Sequence, residues 1–509
     1  MSTDNQQVSS WIVTELGGTD QVLVYPRVTF SALPDDVLLE IFNFYLALMN
    51  FYSEPSRFRS FPEDAWHTLV HVCKRWRSIV FASPHRLQLQ LVCTDKRPVQ
   101  DMLNIWPELP IVIGGPVGMS KPKHANNIIA ALEQHNRVGK IDLDDIPNTF
   151  LESMRAMEMS KPFSVLTSLR LLSKQIDASA PVPPALPDSF LGGSAPRLQT
   201  LSLSGIPFPA LPSLLLSTRD LVELHLWDIP LSGYISPEAM VSGLSTRLEI
   251  LFLDFRSPRS RADRENHLLP RLTRVVLPAL TSLIFKGNSE YLEDIVAQID
   301  TPLLSQLKIT FFNQLIFDAP LLGHFISRTE TFKAPHRARV MFWESKVEVW
   351  LDPRNGNGAY KVSSLEISCR PSDWQLSSLA QVCDSALSPL PTLELLEINI
   401  KRSWQDDVDI AQWVELLHTL TSMKNLLLHG ESIQHVALAL EQLTRERVTE
   451  ALPALQNLFL QGPQPSEPAK KMIGKFVAAR QLSVRPVAVH YREWPNQTWQ
   501  QMHWEVGVR

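Results

Sequence analysis

Six-residue frames of the form apolar-x-x-apolar-x-apolar recur along most of the chain. They run as Val138/Ile141/Leu143, Leu166/Leu169/Leu171, Leu198/Leu201/Leu203, Leu221/Leu224/Leu226, Leu248/Leu251/Leu253, Leu280/Leu283/Phe285 and Leu304/Leu307/Ile309. They resume as Val362/Leu365/Ile367, Leu393/Leu396/Ile398, Met423/Leu426/Leu428 and Leu455/Leu458/Leu460. Neighbouring frames start 23 to 32 residues apart, except for one step of 58 between Leu304 and Val362. A period of this size marks a repeat array, in which each unit has an apolar face that only its neighbours can cover. The last two apolar residues of each frame alternate, so they point to the same side of a short strand. Stacking such strands in parallel buries that side as one core, with helical segments between successive strands. Asp406–Leu420 is one predicted helix, with Val408, Ala411, Trp413, Leu416, Leu417 and Leu420 at near-helical spacing, and Ser432–Leu443 is another. The long step is about two ordinary repeats, and its missing strand is expected in Arg339–Phe342 or Val347–Trp350.

Ahead of the array the pattern is helical. Leu33-Pro34-Asp35-Asp36-Val37-Leu38-Leu39-Glu40-Ile41-Phe42 opens a helix. Pro34 suits the first helical position, where its missing N–H is not needed, and Asp35 and Asp36 complement the helix dipole. Val37, Ile41, Tyr45, Leu48 and Tyr52 make one apolar face, while Phe42, Phe44 and Leu46 put bulk on others. A helix apolar nearly all round needs cover on more than one side. Pro55 and Pro62 break the pattern, and Ser53–Asp64 reads as a polar loop. A second helix is predicted from near Asp64, with a stripe of Leu69, Cys73, Trp76 and Val80 widened by Val72 and Ile79, and Ser83-Pro84 ends it. The two helices carry more apolar surface than they can bury between themselves, which argues for a partner.

Composition narrows the class. At 509 residues the chain is too long for one ordinary core, and 44% hydrophobic content is enough for a packed interior. A net charge of −5 gives no basic face for nucleic acid, and no run approaches the ~18 apolar residues that span a bilayer. Met1–Gln7 is polar and has no signal-peptide core, so the expectation is a soluble intracellular protein, cytoplasmic or nuclear or both. Cys73, Cys93, Cys369 and Cys383 form no C-x-x-C pair and read as reduced, mostly buried thiols.

No catalytic constellation stands out. G-x-x-x-x-G-K, G-x-S-x-G and H-E-x-x-H are all missing, so the reading is a non-enzyme without cofactor or metal. Asp142, Asp144 and Asp145 fit a strand exit, and Asp406, Asp407 and Asp409 fit a helix start. His67 and His71 lie four apart with no third ligand placed beside them and read as a solvated helix face. Arg256-Ser257-Pro258-Arg259-Ser260-Arg261 is the one basic run and reads as an exposed loop.

The Leu-Pro helix start followed by Trp66-His67-Thr68-Leu69-Val70-His71-Val72-Cys73-Lys74-Arg75-Trp76-Arg77 resembles the F-box, the helical module that joins substrate receptors to cullin–RING ubiquitin ligases. The frames resemble a divergent leucine-rich-repeat solenoid. The expected asparagine after the strand is mostly absent, and the loop between the two helices is longer than in a compact F-box. Phe30–Leu460 as a whole is similar to the F-box proteins with leucine-rich repeats of mushroom-forming fungi. Trp66–Leu89, with Val-Cys-x-x-Trp-Arg and Phe-Ala-Ser-Pro-His-Arg-Leu, is its most characteristic part, and Leu322–Thr329 has the same look.

The resemblance implies an α/β chain with an N-terminal helical F-box and a solenoid, strands on the concave side and helices on the convex side. The implied division is a flexible segment at 1–29, the F-box at 30–92, the solenoid at 93–462 and a C-terminal cap or tail at 463–509. It implies a Skp-type adaptor, and through it a cullin, held by Leu33, Pro34, Val37, Ile41, Val72, Cys73 and Trp76. It does not name the protein substrate. Solenoid geometry sends the residues between the buried ones to the concave surface, giving Glu223, His225, Trp227, Ile250, Phe252, Asp254 and Ile284 as candidate substrate contacts. Trp227, Ile250, Phe252 and Ile284 are expected to be apolar neighbours. Leu395, Leu427 and Phe459 make a second such patch, and Tyr491, Trp494, Trp499 and Trp504 of the tail carry enough aromatic surface to cover one. The alternative is a leucine-rich interaction scaffold that engages no ligase.

Overall fold

The computed structural model describes residues 33–52, 65–94, 103, 109–117, 122–157, 161–173, 183–256, 274–311, 320–332, 335–343, 347–353, 364–369, 393–401, 410–446, 452–492 and 500–502. It is a mixed α/β structure with a helical N-terminal unit and a large, mostly parallel sheet.

The helical unit comprises α1 (Asp35–Tyr52), α2 (Trp66–Val70) and α3 (Lys74–Ala82). The second predicted helix is therefore two. His71 and Val72 leave helical hydrogen bonding, and Cys73 is extended (φ −158°, ψ 170°) and caps α3. Leu38, Leu39, Phe42, Trp66, Leu69, Val70, Ile79 and Val80 form a core separate from that of the sheet. The Trp66 indole N–H donates to the Gln90 carbonyl, which ties this core to the start of the first strand.

Strands β1 (Leu91–Cys93), β2 (Ile111–Pro116), β3 (Val138–Ile146), β4 (Ser168–Ser173), β5 (Thr200–Ser204), β6 (Glu223–Ile229) and β7 (Ile250–Phe255) pair in chain order, all parallel. A short strand, β8 (Val275–Val276), pairs outside this sheet with β10 (Ile299–Asp300), and β9 (Ser282–Gly287) and β11 (Gln306–Phe311) extend the main order.

The register repeats without a slip at the frame positions. Leu169, Leu201, Leu224, Leu251, Leu283 and Leu307 stand opposite one another, as do Leu171, Leu203, Leu226, Leu253, Phe285 and Ile309. All twelve are buried in one continuous core. A slip by one residue would turn this whole ladder to the other face, so the core itself holds the register.

Chain order breaks once. Both segments proposed for the missing strand are strands, β12 (Pro335–Phe342) and β13 (Val347–Pro353), and they form an antiparallel hairpin. The next strand, β14 (Ser364–Cys369), lies parallel to β11 and antiparallel to β13, so the spatial order is β11, β14, β13, β12. The register survives the permutation: Leu307 stands opposite Leu365 in the pairing order, then Leu351, Ala338 and Leu396. From β12 the sheet continues parallel through β15 (Leu395–Ile400), β16 (Asn425–His429), β17 (Asn457–Gln461) and β18 (Ala488–Arg492), and β19 (Gln500–Met502) closes antiparallel. The parallel run thus extends past residue 462, into the segment the sequence reads as tail.

Helices α4 (Pro122–Leu132), α5 (Asn148–Ala156), α6 (Leu211–Ser217), α7 (Pro237–Ser242), α8 (Ser289–Gln298) and α9 (Pro320–Arg328) join strands of the first part. Helices α10 (Ile410–Thr419), α11 (Ser432–Glu446) and α12 (Glu467–Leu482) do so in the second, and successive helices pack on one another from α6 to α9 and from α10 to α12. Leu292, Ile295 and Val296 of α8 are fully buried in the core that holds the frame leucines, so the helices cover the leucine face. Two charged residues lock α8 to α9. The buried Glu293 carboxylate accepts from the backbone N–H groups of Leu321 and Leu322 at 3.0 and 2.6 Å, at the start of α9. Arg328 at the other end donates to the carbonyls of Val296 and Ile299, where α8 stops. Each charge meets the complementary end of the neighbouring helix.

Candidate functional site

The first candidate surface is on the helical unit. The buried stripe of α1 is Leu38, Leu39 and Phe42, whereas Val37, Ile41, Phe44 and Leu48 face solvent. The exposure is substantial: 43% for Val37, 38% for Ile41 and 67% for Phe44. Their spacing of four, three and four residues keeps them on one helix face. Val72, at the break between α2 and α3, is 59% exposed. Leu33 is half-buried and packs against the core, and Pro34 is exposed. Cys73 is exposed, not buried as the sequence suggested, and its sulfur accepts the Trp76 backbone N–H at 3.5 Å as the cap of α3. Cys93 is buried. Trp76 is half-buried and lies on the Phe42 ring, with 4.6 Å between ring centroids. It is therefore as much a support of the unit as a contact surface.

Polar ties hold this face in place. Asp35 pairs with Arg75 at 2.6 Å, and Arg75 also donates to the Leu33 carbonyl. Arg86 pairs with Glu40 at 2.5 Å and with Asp36 at 3.6 Å. These exposed pairs add little stability but fix the helix start against α3 and the turn after it. Phe44 belongs to the exposed face and was absent from the adaptor set read from sequence. Its position seven residues after Val37 was the available signal.

The second candidate surface is the sheet face away from the leucine core. Register places His225, Phe252 and Ile284 side by side, and Glu223, Ile250 and Ser282 in the row before. The Trp227 ring stacks on Phe252 with 3.6 Å between centroids, and the His225 ring lies parallel to that of Trp227 at 6.3 Å. Trp227 is 41% exposed, while the other six are half-buried. Glu223 lies 3.4 Å from His225, and Asp254 pairs with Lys286 at 2.6 Å. The seven residues read from sequence therefore form one contiguous patch, an aromatic centre with a charged rim.

Other candidates resolve into structure. Arg170 of β4 pairs with Asp142 at 3.0 Å and Asp144 at 3.4 Å, so those acids brace neighbouring strands. Arg256 pairs with Asp228 at 2.6 Å. The remainder of its basic run, Asp406–Asp409, Cys383, Trp494, Trp499 and Trp504 lie outside the described residues. Tyr491 is in β18, and its hydroxyl donates to the Gly462 carbonyl. Among the described residues no group of three or more metal-ligating side chains converges, and no helix is long and apolar enough to cross a membrane.

Sequence reasoning missed one cluster on the same open sheet face. Glu397 of β15 is 7% exposed and receives three basic side chains: Arg337, Arg339 at 3.1 Å and His429 at 3.0 Å. Burial alone would raise its carboxyl. The close approach of His429, the hydrogen bond from Arg337 and the charge of Arg339 outweigh that and hold it at about 2. The four residues come from three strands, two of which are neighbours only through the permuted order, so no local motif announces them.

No protein-family model matches this chain, and no curated protein matches it.

Proposed function

We propose that this protein is a non-catalytic substrate receptor of a cullin–RING ubiquitin ligase. In this reading the helical unit is an F-box that docks a Skp-type adaptor, and the parallel array is a leucine-rich-repeat solenoid that holds a protein substrate. The observation that carries the reading is the exposed apolar face Val37, Ile41, Phe44 and Leu48 of α1, with Val72 also exposed, on a unit whose own core is already closed by Leu38, Phe42, Trp66 and Val80. Apolar groups on one such face gain by burial against a partner, and the resemblance of the Leu-Pro and Val-Cys-x-x-Trp patterns to the F-box supports a Skp-type adaptor as that partner. The Trp227 patch is the substrate surface. Ligation then needs no chemistry from this chain: holding the target beside the ubiquitin-charged enzyme raises effective concentration.

The test is co-purification of the full chain with a Skp-type adaptor, wild type against Phe44→Ala and Val72→Asp. These exposed positions are better probes than Trp76, whose loss would also disturb packing on Phe42. A one-to-one complex lost in the variants supports the reading. A folded wild-type protein that ignores the adaptor sinks it, and leaves a leucine-rich interaction scaffold with the same Trp227 surface.

A further inference from the structure

We propose that the open sheet face takes one extended polypeptide segment without net charge, which crosses the strands and seats apolar side chains at Phe252, Trp350 and Phe459. The proposal rests on the reading of this face as the substrate surface and names the class of substrate.

The register defines the middle row of the face. From Phe252 it runs through Ile284, Lys308 and Glu366 to Trp350, and from there through Arg339, Glu397 and Leu427 to Phe459. Three aromatic residues thus stand at equal intervals of four strands, on β7, β13 and β17. All three are half-buried, so each presents part of its surface. The two outer rings are backed by another ring: Trp227 stacks on Phe252 at 3.6 Å between centroids, and His490 on Phe459 at 4.8 Å. Four strand spacings measure about 19 Å along the sheet, which an extended chain covers in about six residues. The whole row is about 38 Å, or about twelve residues.

Charge favours neither sign of ligand. On the seven strands between Phe252 and Phe459 the register gives this face four basic residues, Lys286, Lys308, Arg337 and Arg339, and four acidic ones, Glu348, Asp352, Glu366 and Glu397. Glu223 and Asp254 lie at one end of the row and Arg492 at the other. A segment rich in one charge would meet about as many like charges as opposite ones, so a segment without net charge fits best.

Hydrogen-bonding groups select an extended chain. Ser282, Gln306 and Asn425 lie on one side of the row, and Thr310, Asn399 and Gln461 on the other. Hydroxyl and amide groups can pair with the backbone N–H and C=O groups that an extended segment leaves open, whereas a helix has already paired its own.

The test is selection of phage-displayed random peptides of about 16 residues, enough to span the row, on the immobilised full chain. The expected result is enrichment of apolar residues about six apart, without a bias to acidic or basic residues. One selected peptide is then synthesised and measured by fluorescence anisotropy. Replacing its middle apolar residue by Ser should weaken binding to wild type about tenfold and make no difference on Trp350→Ala. Replacing the last apolar residue should do the same against Phe459→Ala. Inserting two residues between apolar positions should cost as much as losing one of them. If Trp350→Ala does not fold, the Phe459→Ala comparison decides. Apolar residues three or four apart, the helical spacing, would overturn the extended class. A tenfold loss of binding on raising salt to about 0.5 M would overturn the absence of net charge. Binding unchanged on Trp350→Ala and Phe459→Ala but lost on Trp227→Ala would confine the substrate to the Trp227 patch. That outcome overturns this inference and leaves the reading of the face intact. No enrichment, or peptides indifferent to all three variants, would overturn the reading of the face as well.

Discussion

Glu397 gives the sharpest energetic prediction. Its carboxyl is held at about 2 against an ordinary value of 4.5, so the ionised form is favoured in the folded state. At full strength that displacement corresponds to about 3 kcal/mol. Arg337 and Arg339 are each more than a third exposed, and solvent screening reduces the figure to about 2 kcal/mol. A carboxyl depressed by folding stabilises fully above its unfolded value and loses that contribution as pH falls through its folded value. The stabilisation is therefore complete at pH 7, begins to fall below about pH 4.5 and is nearly gone near pH 2. Glu397→Gln removes the ionisable group. It should destabilise the β12–β15–β16 region by about 2 kcal/mol at pH 7 and by progressively less below pH 4.5. The assay is urea unfolding followed by pulsed hydrogen exchange, read on the peptide that spans Leu393–Lys401. Urea is chosen because guanidinium chloride would screen the ion pairs. A local reading is needed because a long repeat array does not unfold in one step. A deficit of the same size at pH 7 and pH 3 would show that the carboxylate's charge contributes nothing and that the cost is one of packing.

Phe42→Ala should cost about 3–5 kcal/mol and unfold the helical unit, because Phe42 is fully buried, while Phe44→Ala should change stability by less than about 0.5 kcal/mol. Urea denaturation with exchange read on Trp66–Ala82 distinguishes them, and equal effects would mean that the α1 faces are misassigned. Leu251→Ala, at the middle of the leucine ladder, should cost about 2–5 kcal/mol, and Trp227→Ala on the opposite face about 1 kcal/mol or less. The reverse order in thermal melts would exchange the buried and open faces of the sheet. Gly192→Ala should lower stability by about 2–4 kcal/mol, since φ is +63° and the new Cβ would sit 2.3 Å from the Lys161 carbonyl carbon. An unchanged melting temperature would remove the claimed close approach.

What could be read from sequence was what depends on local spacing. The frame leucines two residues apart fixed which side of each strand is buried, and the register bears this out from Leu169 to Leu307. Because face and register are coupled, the same spacing also made neighbours of Trp227, Phe252 and Ile284 before any coordinates. Helix periodicity was less informative for α1. Val37 and Ile41 share a face with Leu48, but an amphipathic count cannot say which of two apolar faces is covered, and the covered one runs through Leu38 and Phe42. Nor did it show the break at Val72–Cys73, where the stripe Leu69, Cys73, Trp76 and Val80 looked continuous.

The sequence alone therefore determined the α/β class, the repeated strand and the inward face of each strand, since these follow from side-chain period along one segment. Tertiary structure decided the permuted order of β11, β14, β13 and β12, and with it the meeting of Arg337 and Arg339 with Glu397 and His429. Strand order depends on which apolar ladder each segment joins when many ladders are equivalent. Leu365, Leu351 and Ala338 can each continue the row from Leu307, and the choice among them is made by packing across the whole sheet rather than by any residue's neighbours in the chain.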